Sequence, residues 1–527
     1  MSSRLELVER IIDTAGVAAR IEALLPVGVR PRQLRVRTLL VGMVLAMLAG
    51  RDALLTNVLA TLLEPPEADR RRLGVIAQWP DAEHQLTYRQ LEYTYRLTVS
   101  KLAAPTPDGS PTQQLSEILD QLLEASVQAL GAPDSTSYAV DWTDHETWAC
   151  PPRQHPTTTN NDDDGHSPAG QNADNHQERP PPQRDAPRAD PEAAWGHRTT
   201  NHPAVNELFF GYYLQAVTIV RDEHGPEVPE LVRRIHLSSC DHDPPAALVP
   251  VIGRMRNRGI PIGDLLADSG YSYRVAEHWA LPLRALGASL IHDLHPADRG
   301  PHGTHHGAII HNGNLYCPAT PTALLELAPL HRPATPEQTD THDRLCTELA
   351  RHKLSPLTGY DHDGYRRVIC PAAQQKIRCP LRPESMTRPH DRPTILTAPQ
   401  TPPACCTQQT ITVPPTVCAK TAQKHDYPSP QHRLSYNRRT AAERTFATLT
   451  DRATNDLSRG WCRLTGLTPN ALFIATALIA RNIRVADAFA ARQAEKERRA
   501  ANGLPPKQRK RRRQTLHDLI ARAPAPP

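Results

Sequence analysis

At residue 135 the hydrophobic spacing of this 527-residue chain changes from helical to strand-like, and the order of elements that follows constrains the fold more than any other feature. Short apolar runs of branched and aromatic residues occupy Ser135 to Thr143, Glu207 to Val220 and Leu231 to Ser239, with a turn-rich link, His224 to Glu230, between the last two. They read as three strands. Pro244 to Arg258 then reads as a helix, Ile262 to Tyr271 as a strand ending at Asp268, Arg274 to Leu286 as a helix, and Ala288 to Leu294 as a strand. Strand, strand, strand, helix, strand, helix, strand predicts a mixed α/β sheet with helices packed on it.

The flanks differ from this block. Residues 1–130 are rich in Ala, Leu, Glu and Arg with apolar positions at helical spacing, clearest in Leu86 to Leu102 and Gln113 to Leu130. No tight helix-turn-helix signature is visible there. Inside the block, Pro151 to Pro191 carries nine prolines, runs of Asn and Asp, and almost no large apolar residue. Such a segment cannot bury enough apolar area to offset its ordering entropy, so a disordered or surface loop is expected. Residues 295–431 are rich in Pro, Thr, His and Cys and predict short strands and loops; helix returns over 432–490, and 491–527 form a basic tail.

Composition excludes some classes. Mean hydropathy is −0.51, and the most apolar run, Leu39 to Gly50, is about 12 residues, short of the ~20 that a spanning helix needs. No membrane partner is expected. The first residues lack a basic stretch followed by an apolar one, so a cytoplasmic protein with reduced cysteines is the expectation. Net charge is +5, unevenly spread: Asp487 to Pro527 holds 11 Lys and Arg against 4 Asp and Glu, a surplus of seven, which leaves −2 for the remainder. The run Lys507 to Arg513 can neutralise phosphates, and equally can be a solvated tail.

Three acids stand out by position. Asp141 ends the first strand run, Asp268 ends a later one, and Glu443 lies in a helical run. Carboxylates at the C-terminal ends of neighbouring strands converge on one sheet edge, and a helix can add a third. Hard oxygen ligands of this kind suit Mg²⁺. Two such ions about 3.5–4 Å apart can activate a nucleophile and stabilise a leaving oxygen at phosphorus. Alternatively, an Asp at a strand end is only a turn former or helix cap. On one continuous helix turning about 100° per residue, Tyr436, Arg439 and Glu443 share a face, with Ala442, Phe446 and Leu449 on an adjoining apolar flank. The simpler reading of Arg439 and Glu443 is a surface pair at i, i+4.

Tyr436-x2-Arg439-x3-Glu443 resembles the Y-R-E part of the YREK signature of bacterial insertion-sequence DDE transposases. AVDWT around Asp141 resembles their first-Asp strand, FFGYYLQAVTIV the strand after it, and LLADSGYS their second-Asp strand and turn. The likeness runs from about Ser135 to Arg484. It implies a ribonuclease H-like catalytic domain in two parts, 131–294 and 432–490, with 295–431 a strand-rich insertion before the last catalytic helix and 1–130 a candidate DNA-end-binding region. It implies that Asp141, Asp268 and Glu443 bind two Mg²⁺ ions. Tyr436 and Arg439 would contact DNA phosphates. The partners implied are the element's terminal inverted repeats, target DNA and a second copy of the chain. The signature's Lys, seven residues after the Glu, is Thr450 here. Continuous helix would put it on the active face without a charge. An active transposase and a decayed or domesticated DNA-binding copy are both compatible with these residues.

Cys370, Cys379, Cys405, Cys406 and Cys418 gather in the insertion. Four thiolates can make a structural Zn²⁺ site, but the C-x2-C knuckle is absent and reduced structural cysteines are the simpler expectation. His302, His305 and His306 read as solvent-exposed.

Overall fold

The computed structural model describes residues 2–26, 32–79, 82–103, 110–151, 189–199, 206–330, 333–387 and 391–507. Its centre is a six-stranded mixed sheet. The strands are β1 (Ser137–Glu146), β2 (Ala194–Thr199), β3 (Asn206–Val220), β4 (Val232–Ser239), β5 (Asp264–Ala267) and β6 (Ser289–His292). β3 runs antiparallel to β1 along its full length, from Ser137 opposite Val220 to Glu146 opposite Gly211. The other edge of β3 is shared: β2 pairs with its first part and β4 with its second, both antiparallel. β5 lies parallel to β1 on the far side, and β6 lies parallel to β5.

Helices cover both faces. Residues 1–130 supply α1 (Ser2–Ala15), α2 (Val17–Leu24), α3 (Val36–Leu48), α4 (Leu55–Leu63), α5 (Tyr88–Leu102) and α6 (Gln113–Ala129). A small hairpin, Ile76–Trp79 with Ala82–Gln85, interrupts this otherwise helical region. Within the block, α7 (Pro244–Asn257) and α8 (Ala280–Ala285) connect the parallel strands. The insertion holds two three-stranded antiparallel sheets. One is β7 (Pro301–His305), β8 (Ala308–His311) and β9 (Asn314–Tyr316); after α9 (Pro336–Arg351) comes β10 (Ser355–Pro356), β11 (Arg366–Ile369) and β12 (Ile411–Val413). The chain closes with α10 (Pro430–Tyr436), a 3₁₀ turn at Asn437–Arg439, α11 (Thr440–Leu449) and α12 (Leu467–Ala501). No helix among the described residues is long and apolar enough to cross a membrane.

One core runs from the N-terminal helices through α12 to the sheet. It contains Val8, Leu40, Leu119, Phe473 and Leu478 together with Tyr212, Leu214 and Ala216 of β3 and Val232, Ile235 and Leu237 of β4. The two-residue period of a strand assigns the other sides. Tyr138 and Val140 of β1 and Leu265 and Ala267 of β5 pack with α7 and α8. Ala139, Leu266 and Ile291 turn the other way, onto Ala441 and Ala442 of α11. Buried charge ties α6 to the sheet and to α7: Arg234 of β4, with no exposed side-chain surface, reaches Glu124 at 2.7 Å, and Arg254 of α7 reaches Asp120 at 2.7 Å.

Three sequence expectations need correction here. Helix over Arg274 to Leu286 is realised only as a 3₁₀ turn at Ala276–His278 and the short α8. β2 has no strand signal in the sequence, because AWGHRT has too few apolar positions to show alternation. The polar segment Pro151 to Pro191 lies outside the described residues over 152–188, but its end is structural. Asp190 is fully buried. Its carboxylate accepts from Thr147 Oγ1 at 2.6 Å, from the Tyr212 hydroxyl at 2.9 Å and from the Gly466 amide at 2.9 Å. It thereby joins the end of β1, β3 and the start of α12. Removing it leaves the Tyr212 hydroxyl and the Gly466 amide without an acceptor and Thr147 Oγ1 with only the carbonyl of Leu464 at 3.4 Å, at about 1–3 kcal/mol for each lost partner. Asp190→Ala should therefore lower unfolding free energy in urea by roughly 3 kcal/mol or more. A loss below about 0.5 kcal/mol, the scale of an ordinary surface change, would show that the contact is not structural.

Candidate active site

The parallel register places the acids. Ala139 of β1 pairs with Leu266 of β5, and Leu266 with Ile291 of β6. Two residues on, at the same offsets and on the same face, stand Asp141, Asp268 and Asp293. Neighbouring strands are about 4.8 Å apart, so three carboxylates line one row where the β5 and β6 pairing stops. Asp141 is the fifth residue of a ten-residue strand, not its last as the sequence suggested, because β1 continues along β3 after β5 has ended. Asp268 directly follows β5 and caps the turn Ser269–Ser272, accepting the Gly270 amide at 2.9 Å. A side chain at 270 would not fit: its Cβ would stand 2.5 Å from the Trp142 ring and 3.1 Å from Asp268 Oδ1. The Trp142 ring meets Tyr271 edge-on at 4.6 Å, walling the row from below.

The catalytic helix expected from the sequence is broken. Arg438 turns inward to Asp264 at 2.8 Å and to the carbonyl of Arg221 at 3.0 Å, and the chain tightens there into the 3₁₀ turn. Residues i and i+3 eclipse in such a turn. Tyr436 and Arg439 therefore stay together, the guanidinium 5.6 Å from the ring centre. Tyr436 is stacked at 5.5 Å on His432, whose Nε2 lies 3.0 Å from the carbonyl of His292 at the end of β6. Arg439 reaches Asp141 Oδ2 at 2.9 Å and also bonds Glu443. Asp141, Asp268, Glu443, Tyr436 and Arg439 thus meet at one edge of the sheet. α11 ends at Leu449, so the continuous register assumed for Thr450 does not apply; Thr450 is an exposed cap residue. Ala442 and Leu449 are buried as the apolar flank requires, while Phe446 is half-buried.

Electrostatics mark the row. Burial, and then the charge of Asp268, push the Asp141 carboxyl up to about 7, against the pull of Arg439. Asp268 is raised too, by burial first, with Asp293 adding to it and Arg439 opposing. Burial raises the Tyr436 phenol, so it stays protonated. Asp293 is not singled out by sequence pattern, because the apolar strand run extends through it to Leu294. It accepts the Tyr427 hydroxyl at 2.7 Å and lies 3.3 Å from Arg299. An acid one residue past a parallel strand, as at Asp268, was the available signal.

Among the described residues no group of three His, Cys, Asp or Glu side chains is arranged to hold a metal ion. Arg439 supplies the positive charge between Asp141 and Glu443. The donor chemistry nonetheless fits a hard cation: Asp141 and Asp268 offer oxygen alone, and both are held where ionisation is costly without a positive neighbour. In the insertion, Cys370 and Cys379 share a buried cluster with Cys317, Cys405 and Cys406 lie in another with their sulfurs 3.9 Å apart, and Cys418 stands outside both. All ten cysteines are free. His302 and His306 are exposed, whereas His305 is half-buried with Nε2 2.9 Å from the carbonyl of Thr412. Of the basic run, only Lys507 lies among the described residues.

A carboxyl with a raised folded-state pKa binds its proton more tightly when folded, so stability falls as pH rises from the ordinary carboxylate range, about 4, to about 7. Asp141→Asn should melt above the wild type at pH 8, with the gap closing towards pH 4. Equal melting temperatures at pH 8 would show that Arg439 fully compensates the charge.

No protein-family model matches the chain, and no curated protein or solved structure matches it.

Proposed function

We propose that this protein is a DDE-type DNA transposase, cutting and joining the ends of an insertion-sequence element on a ribonuclease H-like domain. The observation that carries the reading is the row of carboxylates set by the β1, β5 and β6 register, facing a helix that brings Glu443 and Arg439 to it. The strand order supports it as well. Counting β1, β3, β4, β5 and β6 as first to fifth, the sheet runs third, second, first, fourth, fifth, with the second alone antiparallel to the rest.

Asp141 and Asp268 are the residues to hold Mg²⁺, with Glu443 joining them once its bond to Arg439 is released. The ion would supply charge stabilisation at phosphorus and a more acidic bound water. The chain's own groups do the rest. Arg439, freed from the carboxylates, is placed to bind a non-bridging phosphate oxygen, where a guanidinium offers paired donors. Tyr436, neutral and braced on His432, offers one hydroxyl donor. Trp142 and Tyr271 keep water from the inner side of the acids. The partners on this reading are the element ends, target DNA and a second copy of the chain. Thr450, neutral where the signature has Lys, favours a second reading, a catalytically decayed copy that still binds DNA.

Strand cleavage on DNA carrying the element ends separates the two. Asp141→Ala, Asp268→Ala and Glu443→Ala should each lower Mg²⁺-dependent cleavage by roughly a hundredfold or more while DNA binding persists. EDTA should abolish it. Wild-type protein that binds the ends but never cuts them would establish the decayed copy, and cleavage by Asp268→Ala at the wild-type rate would remove the catalytic assignment. Independently of activity, Mg²⁺ should raise the melting temperature of the wild type at pH 8 and leave Asp268→Ala unmoved.

A further inference from the structure

A groove of about 870 Å³ opens beside α11, away from the row of acids, between that helix, the β3–β4 connection and α12. Six arginines line it: Arg221, Arg438, Arg444, Arg481, Arg484 and Arg492. Two are neutralised internally, Arg438 by Asp264 and Arg444 by Glu230. The other acid of the groove, Glu227, is held by Lys496. Arg221, Arg481, Arg484 and Arg492 carry no ion pair among the described residues.

Arg481 is the informative member. It is only 5% exposed, and its hydrogen bonds go to neutral groups, Thr448 Oγ1 at 2.9 Å and the carbonyl of Glu230 at 2.8 Å. The nearest carboxylate, that of Glu230, is already engaged by Arg444. Burial depresses its pKa to about 10, which still leaves it charged at neutral pH. A buried charge is ordinarily paired, because taking an ion out of water is costly. Arg484 repeats the pattern, bonding Asn455 Oδ1 at 2.7 Å and the carbonyl of Leu48 at 3.2 Å. Arg221 and Arg492 are exposed at the rim, Arg492 lying 5.8 Å from the centre of the Phe489 ring. From Arg481 to Arg492 α12 advances about 16 Å, the axial rise of roughly five nucleotides of one strand.

We propose that this groove is a second nucleic-acid contact surface, taking the phosphate backbone of a DNA duplex along α12. It rests on the DNA-processing reading for its partner, but not on the carboxylate row for its chemistry. Internal pairing leaves four guanidinium charges unmatched in one concave site, and a regular line of phosphates matches them.

The test is binding of the full-length protein to a fluorescent 30-base-pair duplex of arbitrary sequence, followed by anisotropy from 50 to 300 mM NaCl. Each lost phosphate contact lowers the slope of log K against log salt by about 0.9. The rim pair Arg221→Gln/Arg492→Gln spares the buried arginines and so avoids a folding defect, which a thermal melt checks. It should reduce the slope by about 1.8 and weaken binding at least tenfold at 100 mM salt. The pair Arg256→Gln/Arg258→Gln, exposed on and just after α7, removes the same charge elsewhere and should leave the slope unchanged. A wild-type slope for the rim pair, or an equal fall in both pairs, overturns the groove. Loss of cleavage in Asp268→Ala together with an unaltered rim-pair slope would sink the groove alone. Cleavage by Asp268→Ala with a reduced rim-pair slope would sink the catalytic reading and leave the groove standing.

Discussion

Like charges held side by side by a parallel register are the constraint on which the rest of this protein is arranged. Ala139, Leu266 and Ile291 are in register across three strands, so Asp141, Asp268 and Asp293 have no freedom to separate. In water, carboxylates about 5 Å apart repel modestly; with Trp142, Tyr271 and the sheet excluding solvent from one side, burial and then neighbouring negative charge make Asp141 and Asp268 hold their protons more tightly. The folded state meets this cost at Asp141 with Arg439, a half-buried guanidinium 2.9 Å from the carboxylate. At Asp293 the Tyr427 hydroxyl donates a hydrogen bond at 2.7 Å and the Arg299 guanidinium stands 3.3 Å away. Ionisation of Asp141 and Asp268 is thus held back except where a positive group stands beside them.

Arg439 can do this only if α11 is seated with little tolerance. The small side chains of Ala441 and Ala442 allow the helix to lie close against Ala139 and Leu266. Thr445 meets Thr218 at 3.1 Å across the same surface. Asp264, at the start of β5, receives both Arg438 and Lys424 at 2.8 Å and fixes the turn that leads into the helix. Behind α11, Asn482 of α12 donates to the carbonyl of Val232 and accepts from its amide, at 2.9 and 2.8 Å, completing the pairing of β4 where it begins. The first half of α12, Leu467 to Ile483, is buried against the N-terminal helices. Residues more than 400 positions apart, such as Met47 and Asn455, are bonded through this layer at 2.7 Å. Placement of the acids therefore depends on packing contributed by nearly the whole chain.

The insertion enters between β6 and α10, and its contacts explain how so long an excursion leaves the site intact. Lys424 and Tyr427, at its end, return to Asp264 and Asp293, the acids at the start of β5 and just past β6. Arg284 of α8 bonds the carbonyl of Ala419 at 2.6 Å from the opposite side. The returning chain is thus fastened to the parallel strands before α10 begins.

The sequence by itself determined the alternation of strand and helix after residue 135, because burial on one face writes a period of two or of 3.6 into the apolar residues. It also determined the identity of Asp141, Asp268, Glu443, Tyr436 and Arg439 as candidates, through their positions in those runs. Tertiary structure decided what no local pattern carries. The edge of β3 accommodates two strands in succession, so AWGHRT becomes β2 with little apolar signal of its own. Arg438 finds its partner 174 residues away in Asp264, and a tight turn replaces helix before Glu443. Asp190 closes a proline-rich stretch that reads as loop, yet its acceptors satisfy donors from three distant segments. Asp293 joins the acids only because β6 lies beside β5. Periodicity reports which face of an element is buried; register, helix breaks and buried hydrogen bonds depend on partners that lie far away in sequence.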